Sequence, residues 1–295
     1  MHNADHKKIT LRAVNLMRCG TKDKFTHLLD QYGKQIAKKS FDEDVYWHNT
    51  RRVVDWHFYK TASAPYPAPL GRFRPFWGIP LSKRKVRPDC RRIVTDIVED
   101  IESDSGVEKI LENTGRFIHY IQDMSTPAHV VPIYHGPTYK NYLKKSDGFE
   151  TFSPTVIDLT LDSITASAGE IPQFEDELDS TTLMNFFDLS AGKTLDYLGD
   201  SETQFTADVD GVAQECGTDV FWLTQGDGHS PEYLPGFGRY GKWNTKFGLA
   251  KDKTDGSLDL SESKTIYDYL LEKMVIDTIK TLLIIKRQIT PHEGG

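Results

Sequence analysis

The chain has 295 residues and a formal net charge of −7, with 38% hydrophobic and 27% charged residues. That length buries a sizeable core without disulfide staples, and the acidic balance gives no support for a broad electrostatic grip on nucleic acid. Cys19, Cys90 and Cys216 lie far apart without CxxC spacing, which argues against a disulfide framework and against a zinc ribbon.

In chain order, Ile9, Ala13, Leu16 and Met17 fall at helical spacing and Gly20 stops the run. Phe25, Leu28, Leu29, Tyr32 and Ile36 form a second amphipathic stripe. From Ala62 to Pro88 the text changes to prolines, aromatics (Tyr66, Phe73, Phe76, Trp77) and basic residues, which reads as a long structured loop with a functional role. The run Lys83-Arg84-Lys85-Val86-Arg87, continuing to Arg91-Arg92, reads as a solvated linker or helix start, with a contact patch as the alternative. Helical spacing returns with Ile93, Val94, Ile97 and Ile101, and again with Val107, Ile110, Leu111, Thr114, Phe117, Ile118 and Ile121. Further helices are expected over 154–168, 180–198, 205–223 and 262–289, with a Gly- and aromatic-rich loop at 226–248. No period-2 strand run stands out. The expectation is a single all-α domain over 1–295 with long connecting loops. No stretch approaches the ~20 apolar residues that cross a bilayer, and the N-terminal MHNADHKK has no apolar h-region of a signal peptide.

The stretch FIHYIQDMSTPAHVVPIYHG at 117–136 holds His119, Asp123, His129 and His135 in a chain with ten histidines. On a helix His119 and Asp123, four apart, project side by side. Pro127 disfavours helical geometry at Thr126, so the chain should bend there and can swing His129 back toward the same centre. Neutral imidazole and carboxylate are good zinc ligands, and three per ion leave a position open for water. His6, Asp44 in SFDEDVYWHN and His57 in VVDWHFY each have a bland structural reading when taken singly.

Taken together, the order His6, Asp44, His57, His119-x3-Asp123-x5-His129 and then a glutamate resembles the zinc-dependent phospholipase C family, related to the single-strand-specific zinc nucleases and 3′-nucleotidases. DHKKITLRAVNLM looks like that family's first helix, DWHFY is similar to its His-Phe-Tyr segment, HYIQDMSTPAH to its central motif, and GFETF to the place of its later glutamate, here Glu150. The resemblance covers 1–155 well and the remainder only as a string of helices. It implies an all-helical fold with two or three zinc ions in a cleft, in a secreted or periplasmic enzyme. One zinc would be held by His57, His119 and Asp123, a second by His129, Glu150 and His135, and a third by His6, the N-terminal residue and the bridging Asp123. Asp44 would orient or deprotonate the attacking water.

Two departures from the family pattern stand out. Met1 stands about where the family has a tryptophan that binds metal through its amino group and carbonyl. Ser146 replaces the histidine usual ahead of the glutamate, which leaves His135 as the choice for third ligand, Asp147 as a competitor, and an exposed, non-ligating His135 as the remaining reading.

The chemistry implied is metal-assisted phosphodiester hydrolysis. The aromatics Phe76, Trp77, Tyr233, Phe237 and Trp243 could meet a lipid interface or box a choline head group, or stack on bases. Cysteine usage, the PAHVVPIYHG text and the acidic balance favour a phospholipase C making transient contact with a membrane surface, with the nuclease second. A helical binding or scaffold protein with structural histidines is the alternative of another class.

Overall fold

Reciprocal capping and one-sided apolar stripes place the first helices. Helix α1 (Asn3–Gly20) buries Ile9, Ala13 and Met17. Helix α2 (Lys24–Asp42) starts at a capping box: Asp23 Oδ1 accepts from the Thr26 amide at 2.9 Å, and Thr26 Oγ1 accepts from the Asp23 amide at 2.8 Å. These bonds satisfy two amides near a helix start, where intrahelical partners are lacking. Phe25, Leu29 and Ile36 are its buried apolar face. Helix α3 (Arg91–Ser103) turns Ile93, Val94, Ile97, Val98 and Ile101 inward. Helix α4 (Val107–Asp123) is buried continuously from Phe117 to Asp123, as expected of a central helix with neighbours on every side.

The computed structural model describes residues 3–20, 22–44, 59, 90–104, 106–131, 148–165, 170–200, 205–209, 212–218, 221–223, 239–240 and 260–289. The remaining helices are the short α5 (Pro127–Val130), then α6 (Gly148–Ser163), α7 (Glu170–Glu177), α8 (Leu183–Gly199) and the long α9 (Leu260–Ile289). Thr182 caps α8 by accepting from the Asn185 amide at 3.2 Å. The described structure is all-α, and these helices share one hydrophobic core. In it α2 packs against α1 and α4, and α9 packs against both α1 and α4.

Two glycines set the closest approaches. A Cβ on Gly33 would lie 2.8 Å from Val14 Cγ1, bringing α1 and α2 together. A Cβ on Gly115 would lie 2.7 Å from Lys39 Cβ and nearer still to the Ile36 carbonyl oxygen, so α2 rests directly on α4. Helix α2 is therefore held between the two helices that carry His6 and His119.

The helix expected over 205–223 is corrected by the structure. Strand β1 (Phe205–Val209) pairs antiparallel with β2 (Val212–Cys216), Val209 opposite Val212. Strand β3 (Trp222–Leu223) pairs with β4 (Arg239–Tyr240). The register leaves Asp210-Gly211 as the connection, a dipeptide favoured in two-residue hairpin turns, and FTADV alternates apolar with polar residues. Helix α7, which the periodicity does not single out, is tied to α9 by Lys280 to Glu177 and Lys286 to Glu175, each at 2.6 Å. The loop at 62–88 and all of 226–248 except β4 lie outside the described residues, with the aromatics expected to meet substrate. Among the described residues, no helix is long and apolar enough to cross a membrane.

Gly115→Ala should destabilise the protein by about 2 kcal/mol, within the usual range for overpacking a well-packed contact, as measured by urea unfolding. A change below about 0.5 kcal/mol, the size of an ordinary surface substitution, would mean that α2 and α4 can separate at little cost.

Candidate metal centre

Three helices deliver the central side chains. His6 lies on the first turns of α1, Asp44 follows the end of α2, and His119 and Asp123 sit one above the other on the last turns of α4. Met124 and Ser125 then turn the chain. Thr126 is extended at φ −93°, ψ 115°, with Pro127 opening α5. This is the bend expected from the proline, and it brings His129 back to Asp123.

The cluster closes around the two aspartates. His6 Nε2 lies 3.6 Å from Asp44 Oδ2 and 3.5 Å from Asp123 Oδ1. His119 Nε2 lies 3.8 Å from Asp44 Oδ1 and 3.3 Å from Asp123 Oδ2. His129 Nδ1 lies 3.4 Å from Asp123 Oδ2, and its Nε2 lies 3.2 Å from Glu150 Oε1 on α6. Asp123 thus faces three imidazoles. The ligand atoms of His6, Asp44 and His119 all fall within 4.8 Å of one another, so this buried group could hold a metal ion. The donor chemistry fits, because imidazole nitrogens with carboxylate oxygens form a usual set for zinc.

A surrounding layer orients the rings. His6 Nδ1 is 2.8 Å from Gln122 Oε1, and His119 Nδ1 is 3.0 Å from the Ser40 carbonyl oxygen. Both acceptors can only accept, so each Nδ1 carries the hydrogen and each neutral ring presents its Nε2 lone pair to the cluster. The Gln122 amide is fixed in turn: its Nε2 donates to Thr10 Oγ1 at 3.0 Å and to Thr278 Oγ1 at 3.1 Å. Helices α1, α4 and α9 therefore meet on one glutamine. Asp44 is steadied through its neighbour Glu43, which accepts from Arg116 Nε at 2.6 Å and from the Tyr120 hydroxyl at 3.3 Å.

Burial, reinforced by the adjacent His119, pushes His6 down to about 4 against the opposite pull of Asp123 and Asp44. Burial also lowers His129, but Asp123 and Glu150 flank it and hold it up at about 9. In the metal-free protein His129, between two carboxylates, therefore holds a proton more readily than His6 does.

Of the expected site residues, the structure brings together His6, Asp44, His119, Asp123, His129 and Glu150. Met1, His57, His135, Ser146 and Asp147 lie outside the described residues. Tyr59 is described, and its amide donates to the His129 carbonyl at 3.0 Å. Asp44, expected as the water-orienting carboxylate, stands at a distance from both Nε2 atoms that also suits a ligand. Sequence reasoning missed Gln122 and Ser40. The signal for Gln122 was a polar side chain next to Asp123 on a helix otherwise rich in buried positions. Ser40 acts through its backbone, which leaves no residue-type signal. No family model matches this chain, and no curated protein or solved structure matches it.

The two histidines shape the acid–base stability of the metal-free protein in opposite senses. His6 is lowered in the folded state, so the unfolded chain binds its proton more readily below pH 6.5, and stability falls as pH drops toward 4. His129 is raised, so its contribution is complete below 6.5 and disappears as pH climbs through about 9. Urea unfolding across this range should show His6→Gln flattening the acid limb and His129→Gln flattening the alkaline limb. Acid limbs of equal slope in wild type and His6→Gln would contradict the assignment of His6.

Proposed function

We propose that this cluster is a zinc centre and that the chain is a zinc-dependent phosphodiester hydrolase, a phospholipase C releasing diacylglycerol and a phosphorylated head group from glycerophospholipids. The observation that carries the reading is the buried convergence of His6, Asp44 and His119, with both Nδ1 positions occupied by fixed acceptors. A hydrophobic core does not need such a group, and isolated buried charges are costly. The order of these residues along the chain, similar to that of the zinc-dependent phospholipases C, points to phosphodiesters.

His6 and His119 would hold the ion through Nε2, with Asp123 and Asp44 supplying negative charge. His129 and Glu150 would extend the site, Asp123 standing between the two groups. When bound, zinc supplies Lewis acidity toward the phosphoryl oxygens and lowers the pKa of water in its open position to about 7. Asp44 directs one oxygen toward each histidine. A carboxylate so placed can serve the ion with one oxygen and hold a water for in-line attack with the other. Gln122 and Ser40 keep the rings from rotating, so the geometry is set before substrate arrives.

Protein never exposed to chelator should carry two or three zinc ions and lose activity on chelation. Less than one zinc per chain would favour a helical binding protein with structural histidines. Asp123→Asn changes charge but little volume, so phosphodiester turnover should fall at least a hundredfold while helical circular dichroism is retained. Near wild-type turnover would remove Asp123 from the centre. Phosphatidylcholine and single-stranded DNA assayed in parallel decide the substrate: diacylglycerol with phosphocholine supports the proposal, phosphatidic acid with free choline contradicts it, and cleavage of DNA alone would make the chain a nuclease.

A further inference from the structure

We propose that Lys273, buried in α9, is a positioning residue for this centre: its ammonium anchors the turn between α4 and α5 through Ser125 and so sets Asp123 against His129. The inference rests on reading those two residues as metal ligands.

Lys273 Nζ makes three bonds, to Asp277 Oδ2 at 2.6 Å, Ser190 Oγ at 2.8 Å and Ser125 Oγ at 3.1 Å. A lysine ammonium has three donors, and here they reach α9 itself, α8 and the α4–α5 turn. Ser190 Oγ also donates to Asp277 Oδ2 at 2.6 Å, closing the network on itself. All four residues are buried.

The surroundings make this network unexpected on stability grounds. Its neighbours on α9 include Leu270, Met274, Ile279 and Leu283, all buried and apolar. A buried ion pair is weak evidence for stability, since well-packed apolar residues often do as well or better in its place. What apolar residues at 273 and 277 could not do is hold a hydroxyl on another element.

That hydroxyl sits in the turn whose shape matters most. Asp123 precedes Ser125 by two positions and His129 follows it by four. The turn's local form comes from its own backbone bonds, Ser125 N to Gln122 O at 3.0 Å, Thr126 N to Asp123 O at 2.9 Å and His129 N to Thr126 O at 2.9 Å. These fix curvature but do not attach the turn to another helix. The neighbouring Thr126 hydroxyl is buried and makes no hydrogen bond among the described residues. Ser125 is therefore the turn hydroxyl bonded to a second element, and Lys273 is the group that holds it.

The test is amide hydrogen exchange of the metal-free full chain, together with zinc affinity measured by competition with a chromophoric chelator. Ser125→Ala should speed exchange of the His129, Val130 and Val131 amides at least tenfold, leave α2 and α9 amides at wild-type rates, and weaken zinc binding about tenfold. Ser190→Ala, which removes both bonds on the α8 side, should leave the turn amides near wild type. Should Ser125→Ala fail to fold, K273M/D277L removes the anchor without stranding a charge, and its turn amides are read against those of α2. Turn amides that exchange at wild-type rates, or only in step with α9, overturn the anchor. A loosened turn with unchanged zinc affinity overturns its positioning role. Wild-type protein without zinc affinity overturns the metal reading, while a loosened turn in the same samples still supports the anchor.

Discussion

The structure is organised around the burial of Asp123 among three imidazoles. A carboxylate at the end of a buried helix is tolerated only with partners, because desolvation of an unpaired charge is costly. His6, His119 and His129 approach it from α1, α4 and α5, and each is itself buried. Helices α1, α4 and α5 must therefore lie where their histidines can reach one point. The proton distribution follows from the same arrangement: His129, between two carboxylates, takes the charge, and burial beside His119 keeps His6 neutral.

Meeting that requirement falls to close helix packing. Gly33 and Gly115 let α2 lie directly against α1 and α4. Asp44, just past the end of α2, consequently arrives beside the two rings. Gln122 then joins α1, α4 and α9 through one amide, so ring orientation and helix packing depend on each other. A loss of packing among α1, α2, α4 and α9 would also disturb the geometry of the cluster. That dependence explains why a polar cluster can sit in a core built of isoleucine, leucine and phenylalanine.

Local signals were the ones legible in the sequence. The apolar periodicities of α1 to α4 and α9 lie within single helices, and His119-x3-Asp123 with Pro127 specifies both a shared face and a bend. His6 and Asp44 were different: nothing near them in the chain distinguishes a ligand from a surface histidine or a solvated acid, and only family order singled them out. Packing of α1 and the end of α2 onto α4 is what brings them together with His119. The β1–β2 hairpin departs from the helix expected over 205–223 because each strand is too short for an alternation to stand out, and Asp210-Gly211 is the local sequence signal for it. Lys273 and Asp277 interrupt the apolar text of α9 at i and i+4, yet their shared partner Ser190 on α8 and the reach of Lys273 to Ser125 on the α4–α5 turn are tertiary facts.

The most direct measurement of the central claim is a zinc-edge anomalous difference map from crystals of the zinc-loaded protein. The account predicts a peak within about 2.0–2.2 Å, the usual zinc–ligand distance, of His6 Nε2 or His119 Nε2, with carboxylate oxygens of Asp44 or Asp123 completing its coordination. A cluster that holds no peak while its side chains keep this arrangement, or zinc found only on the surface, would contradict it.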